Sequence, residues 1–241
     1  MKDLFKKMET AFPADVMSIL EKVGALAGSL NYRAFLVGGV VRDLIIGNRN
    51  LDLDIAIEGD AIRLGREIAG EIGASIVAHK KFGTCTLSAG EGLKIDFATA
   101  RKEVYRKPGA MPDVQPSSLE DDLRRRDFTI NAMAISLNNP DFGRLVDFFD
   151  GVRDLKAGRV RVIHNKSFID DPTRIFRAIR FEARFGFKIE DNTETLIKDA
   201  VRLGSLNKVS GGRIRKEILL IQKEPHPRQA LKRMDDILKW R

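Results

Sequence analysis

The sequence is poor in the features that mark several large classes of protein. It has one cysteine, Cys85, so it can form neither an internal disulfide nor a thiolate metal cluster. Cys85 reads instead as a small buried residue in a strand. No apolar run approaches the roughly 20 residues that a membrane-spanning helix needs. The N-terminal stretch MKDLFKKMETAF has lysines but no following apolar core, which argues against a secretory signal. A cytoplasmic location is the expectation. Positive charge, by contrast, is plentiful. The formal net charge is +8 and the pI about 9.6, which favours a polyanionic partner. With 241 residues, 43% of them hydrophobic, the chain can hold one large domain or two small ones.

The chain is organised around residues 35–57, FLVGGVVRDLIIGNRNLDLDIAI. Phe35, Leu36 and Val37 read as a buried strand that runs into Gly38 and Gly39. Without side chains there, the backbone can adopt unusual conformations and a ligand can come close. Residues 40–46 read as a short helix closed by Gly47, and residues 51–57 as a second strand containing Asp52 and Asp54. Residues two apart on a strand share a face, so these carboxylates repel and call for a positive charge between them. The glycine turn offers backbone donors to phosphate. Together they suggest a hard cation bridging a nucleotide phosphate, Mg2+ being the usual choice. Gly-Gly alone is more often a simple turn, and Asp-x-Asp alone is weak. Their ordered combination, with Arg42 and Asp43 between, is far more specific.

Around this stretch, residues 13–30 and 61–72 have apolar residues at helical spacing, and residues 74–78, 83–87 and 93–98 read as short strands. The pattern fits a small mixed sheet with helices packed on one side. Asp96, in the last strand, suits a base for an attacking hydroxyl or a third metal ligand, or else a strand acid paired with Lys or Arg. Residues 107–118, rich in Pro, Gly and Ser, should form a mobile loop. Arg124, Arg125 and Arg126 would clamp phosphate if they stand beside a triphosphate, and otherwise form a solvated face. Residues 145–149 read as a final strand. From Val152 onward, apart from a short VRVI segment, the pattern is helical: residues 172–185, 191–203, 213–222 and 228–240. Asp170 and Asp171 make a helix start with Pro172 at the first helical position. Arg174, Arg177, Arg180 and Arg184 then form one basic stripe. The boundary between an α/β unit (residues 1–151) and an all-α unit (residues 152–241) is set near residue 152.

The Gly-Gly turn followed by an Asp-x-Asp strand resembles the signature of the polymerase-β-like nucleotidyltransferases. The fuller string GGVVRDLIIG…LDLDIAI resembles the branch that holds the bacterial-type (class II) CCA-adding tRNA nucleotidyltransferases and the bacterial poly(A) polymerases. RRDFTINAMA and DDPTRIFRAIRFEARFGF are similar to two further motifs of that branch. ARKEVYRKPGAMPDV is similar to its flexible loop, and SGGRIRKEIL to its Glu-Arg-x-x-x-Glu helix, with Arg213 and Glu217 matching and Gly212 in place of the first Glu. The resemblance covers residues 32–219 with the motifs in order.

The resemblance implies an α/β (α+β) nucleotidyltransferase head with a small mixed sheet, followed by a helical neck. It implies template-independent addition of C, A or both to a tRNA 3′ end from CTP and ATP. Asp52 and Asp54 would hold two Mg2+ ions, and the likeness raises Asp96 as the third acid. Gly38, Gly39, Arg42 and Arg126 would hold phosphates. Asp127 would serve the ribose or the local architecture, and Asn131 would brace the turn. Asp171 and Arg174 would read the base, with Arg177 and Arg180 also touching the nucleotide. Family members usually continue with further helical domains, so the chain is expected to be a fragment of a longer protein or to hold its primer differently. A poly(A) polymerase, and a basic RNA-binding module without activity, are the alternatives. The intact Asp-x-Asp argues against the second.

Overall fold

A computed structural model describes residues 3–90, 92–105, 109 and 112–239. The chain divides into two compact units. The first comprises Met1–Lys102, Val114–Arg126 and Asn131–Val152, and the second Glu103–Asp113, Asp127–Ile130 and Arg153–Arg241. Among the described residues no helix is long and apolar enough to cross a membrane.

The first unit opens with helices α1 (Phe5–Ala11) and α2 (Ala14–Ser29), then strand β1 (Arg33–Val37), α3 (Gly39–Ile46) and β2 (Leu53–Glu58). Helix α4 (Ala61–Ile72) leads to β3 (Ser75–His79), β4 (Thr84–Ala89) and β5 (Leu93–Thr99). A ribbon of β6 (Arg101–Val104) and β7 (Asp113–Pro116) follows, then α5 (Leu119–Arg124), β8 (Ala134–Ser136) and β9 (Leu145–Val146). Seven strands form one sheet in the order β3-β4-β5-β2-β1-β8-β9. All of its pairings are antiparallel except that of β2 with β5, which is parallel.

The alternation of side chains decides which face of this sheet is covered. Leu53, Ile55 and Ile57 of β2, Cys85 and Leu87 of β4, and Ile95 and Phe97 of β5 are buried. Helix α4 packs on that face: a Cβ added at its Gly65 would lie 2.5 Å from Cys85 Sγ and 3.4 Å from Leu87. An Asp60 cap starts the helix, accepting from the amides of Ile62 and Arg63 at 3.0 Å each. Since neighbouring strand residues point to opposite faces, Asp54 and Asp96 project from the other side. Helix α4 therefore packs on the face opposite the acids; on the acids' own face Phe35, Val37 and Ala56 are buried too, while Asp96 is exposed. Cys85 is buried, as expected of a strand cysteine.

Two local expectations need correction. Strand β2 begins at Leu53, so Asp52 lies just before it, its amide donating to Asn50 Oδ1 at 2.8 Å instead of to a neighbouring strand. The N-terminal stretch carries helix α1, whose Leu4 and Met8 anchor it in the core. Within the expected mobile loop, Asp113–Pro116 is a strand, because its backbone pairs with β6. Lys107, Pro108, Ala110 and Met111 of that loop lie outside the described residues.

Helix α6 (Gly151–Lys156) carries the chain onward to β10 (Arg159–Val160), α7 (Ser167–Asp170), α8 (Arg174–Phe185) and β11 (Lys188–Ile189). Helices α9 (Asp191–Arg202), α10 (Gly211–Gln222) and α11 (Pro227–Leu238) complete the second unit, and Trp240 lies outside the described residues. The core forms around α8, whose Ile175, Phe176 and Ile179 are buried and whose Phe181 meets Phe128 edge-on at 5.8 Å. The expected VRVI segment supplies β10, which pairs in parallel with β11, a strand of two residues too short to show a period. Helix α8 starts two residues later than Pro172. Asp171 is extended, and its side chain accepts from the Thr173 amide at 3.1 Å, so residues 171–173 turn before the helix proper.

Tight packing makes a prediction possible. Gly24 of α2 lies so close to Leu137 that an added Cβ would sit 1.7 Å from its carbonyl oxygen, whereas at Gly70 of α4 nothing lies within 4 Å. Gly24→Ala should destabilise the fold by about 3 kcal/mol or more, and Gly70→Ala should stabilise it by roughly 0.5–1 kcal/mol. Urea midpoints of the two variants against the parent check both signs.

Candidate active site

The site grows from the end of β1. Val37 pairs with Asp54 across the sheet, and Asp54 stands beside Asp96 in the parallel β2–β5 ladder. Gly38 turns the chain with φ of +81°, a region that favours glycine. A side chain at Gly38 would also meet Arg126 Nη1 at 2.8 Å, and Asp54 Oδ2 lies 3.6 Å from the same point. The turn therefore brings the backbone, an acid and a guanidinium to one place. No side chain caps the N-terminus of α3, which starts there.

Burial pushes the Asp54 carboxyl up to about 6; Arg126 opposes that rise, while Asp52, Asp96 and Asp122 add to it. Asp96 is exposed and accepts a short hydrogen bond from Thr86 Oγ1 of the adjacent strand. Among the described residues no three His, Cys, Asp or Glu side chains close into a ready-made metal cage. The donors fit a hard cation of the Mg2+ kind, which takes one or two carboxylates and completes its shell with water and substrate phosphate. The excess negative charge around Asp54 is the feature that such an ion would relieve.

A buried polar network fixes the approach to these acids. Arg42 of α3 donates to Asp43 through Nε and Nη2, at 2.9 and 3.0 Å, and to Asn131 Oδ1 through Nη1. Asn50 Nδ2 donates to Asp43 at 2.7 Å, and Asn50 Oδ1 receives the Asp52 amide. Arg42, expected at phosphate, is almost fully buried, with Nη2 3.5 Å from where a Cβ on Gly39 would lie. Asn131 braces the turn through Arg42.

The three arginines of 124–126 separate. Asp122 is 1% exposed and holds both Arg125, at 2.7 Å, and Arg126, at 3.1 Å. Burial alone would raise the Asp122 pKa, but the Arg126 and Arg125 charges outweigh it and hold the carboxyl below its usual range. Arg124 pairs with Glu120 and lies over the Phe149 ring. Arg126 is the one placed against Gly38. The Asp-to-Arg spacings of three and four in LEDDLRRR were the available signal for Asp122.

The remaining expected residues lie in the second unit. Asp171 receives Arg213 Nη2 on both oxygens, at 3.0 and 2.9 Å, and the Thr173 hydroxyl at 2.7 Å. Arg174 is buried and donates to Ser167 Oγ at 2.8 Å. Arg177 forms an ion pair with Asp127 at 2.6 Å, and Asp127 also accepts from the Phe128 amide at 2.8 Å. Arg180 faces Glu217 and Glu224 at 3.7 and 3.8 Å; burial and the neighbouring Arg177 lower its pKa. Arg184 grips Glu224 with two bonds. The basic stripe is thus largely an ion-pair seam. Glu224, nearly forty residues along the chain, carried no sequence signal.

Asp122 gives this region a pH signature. With its folded pKa held low, its contribution is complete above about pH 4, the ordinary carboxylate value, and is lost as pH falls further. Asp122→Asn should therefore flatten the acid-side loss of stability, measured by urea midpoints between pH 2.5 and 6.

Known proteins resemble this chain over nearly its whole length. Residues 34–161 match the Poly A polymerase head domain, and residues 186–237 match the probable RNA and SrmB-binding site of polymerase A. The A-adding tRNA nucleotidyltransferase of Geobacter sulfurreducens is 44% identical over 98% of this chain and 27% of its own length. That of Halalkalibacterium halodurans is 40% identical over 99% of this chain and 56% of its own. A solved CCA-adding enzyme in an apo form superposes with a TM-score of 0.94 at 45% identity, over 98% of this chain and 56% of that one. The chain thus spans little more than half of these relatives at most. The head-domain match and these likenesses place the chain in the family of the bacterial-type tRNA nucleotidyltransferases and poly(A) polymerases.

Proposed function

We propose that this chain carries the catalytic head (residues 1–151) and base-selecting neck (residues 152–241) of a template-independent tRNA nucleotidyltransferase. Both curated relatives described above are A-adding, so transfer of AMP from ATP to the tRNA 3′ end is the expected addition, with CTP the other candidate donor. The proposed setting is the cytoplasm. The observation that carries the reading is the placing of Asp54 beside Asp96 on one face of the sheet, with Asp54 next to the Gly38 turn and Arg126.

In the reaction the primer 3′-oxygen bonds to the α-phosphorus, the bond to the β-phosphate bridge breaks, and pyrophosphate leaves. Asp52 and Asp54 would hold Mg2+, which supplies charge neutralisation at the phosphates and the attacking oxygen. Asp96, steadied by Thr86, stands on the neighbouring strand to accept the hydroxyl proton. Arg126, steadied by Asp122, holds the triphosphate, with the Gly38 and Gly39 backbone as its cradle. Asp171 would accept from the exocyclic amine that adenine and cytosine share and uracil lacks. Arg174 would donate to the ring acceptor beside it.

Asp52→Ala and Asp54→Ala should each lower incorporation roughly 10³-fold or more while leaving the circular-dichroism spectrum unchanged. Near-parental turnover with Mg2+ present in either variant would overturn the metal assignment. Asp171→Ala should narrow the preference for ATP or CTP over UTP by about 1–3 kcal/mol. Catalytic efficiencies for the four nucleotides, each supplied alone, measure it; an unchanged preference would place base reading elsewhere.

A further inference from the structure

A cavity of about 820 Å³ in the first unit lies between α1 and the end of α3. Its wall includes Lys6, Lys7 and Arg49 but no acidic residue, and Phe12 and Leu44 give it an apolar floor. Lys7 donates to the Ile45 carbonyl at 2.8 Å, so it stabilises the C-terminal end of α3. Lys6 and Arg49 are exposed. A wall of cations without a counter-acid on an apolar floor suits a phosphodiester chain, whose charge faces the cations while its sugars and bases lie on the floor.

Position narrows the choice. Arg49 is three residues before Asp52, a span of at most about 11 Å. The Asn50 side chain tightens that span by accepting the Asp52 amide. At a rise of about 3.4 Å per nucleotide in a stacked strand, this is the length of roughly three nucleotides. We propose that the cavity holds the backbone of the unpaired RNA 3′ end, one to three nucleotides upstream of the reacting hydroxyl. The proposal rests on the functional reading above for the identity of its ligand.

The test is direct binding, which needs no catalysis. A fluorescent single-stranded RNA oligonucleotide ending in CC is titrated against the 241-residue chain and against Lys6→Ala/Arg49→Ala over a range of salt concentrations. Each lost phosphate contact should lower the slope of log affinity against log salt by about 0.7, so the double variant should lose about 1.4 and bind roughly five-fold or more weakly at moderate salt. A control variant, Lys22→Ala/Arg202→Ala, removes two exposed charges elsewhere and should stay within about two-fold of the parent. The affinity for ATP should be the same in all three proteins. Equal binding by parent and Lys6→Ala/Arg49→Ala would overturn the proposal. So would a control loss as large as the variant's, or a loss confined to ATP. Nucleotide transfer by the unmodified chain is assayed separately, and its failure would strike the functional reading instead.

Discussion

The buried contact between Arg42 and Asp43 organises the first unit. It joins three segments that are distant in sequence: the helix after the glycine turn, the Asn50 bend that leads to Asp52, and Asn131 beyond the arginine run. Breaking such a pair leaves an uncompensated buried charge, typically a loss of about 3–5 kcal/mol, whereas replacing the whole pair with apolar groups can be neutral. Its value therefore lies less in net stability than in fixing the directions from which the chain enters and leaves the site.

The second constraint is electrostatic. Placing Asp52, Asp54 and Asp96 together works against folding: burial raises the Asp54 carboxyl most, and Asp52 and Asp96 add to that rise. The structure offsets part of it with Arg126, which is itself held by Asp122. The acids thus call for further positive charge, which a hard cation would supply. Such polar preorganisation is typical of sites that stabilise developing charge.

Much of this was legible in the sequence, and the limits have physical causes. The glycine turn, the Asp-x-Asp strand and the long amphipathic helices rest on local periods, which survive tertiary packing. Interactions across the fold leave no such trace. Arg177, Arg180 and Arg184 looked like one basic stripe because their partners Asp127, Glu217 and Glu224 lie far along the chain. Nothing local indicates that Arg42 is buried. Helix α1 was hidden by its lysines, although Leu4 and Met8 anchor it, and β11 is too short for alternation to register. Asp52 fell outside its strand because an Asn two residues earlier captured its amide.

The position of β5 between β4 and β2 shapes how the sheet can be assembled. Before β5 is in place, β1 with β2 and β3 with β4 are separate antiparallel pairs, each closing a short stretch of chain. Strand β5 enters between them, pairing in parallel with β2 on one side and antiparallel with β4 on the other. Its contact with β2 closes a loop of roughly forty residues and carries the larger entropic cost. The same strand brings Asp96 beside Asp54. During synthesis a chain that has reached only β4 already holds the phosphate turn and the first two acids, but as an open hairpin. The docking of one strand both joins the two pairs and completes the set of acids.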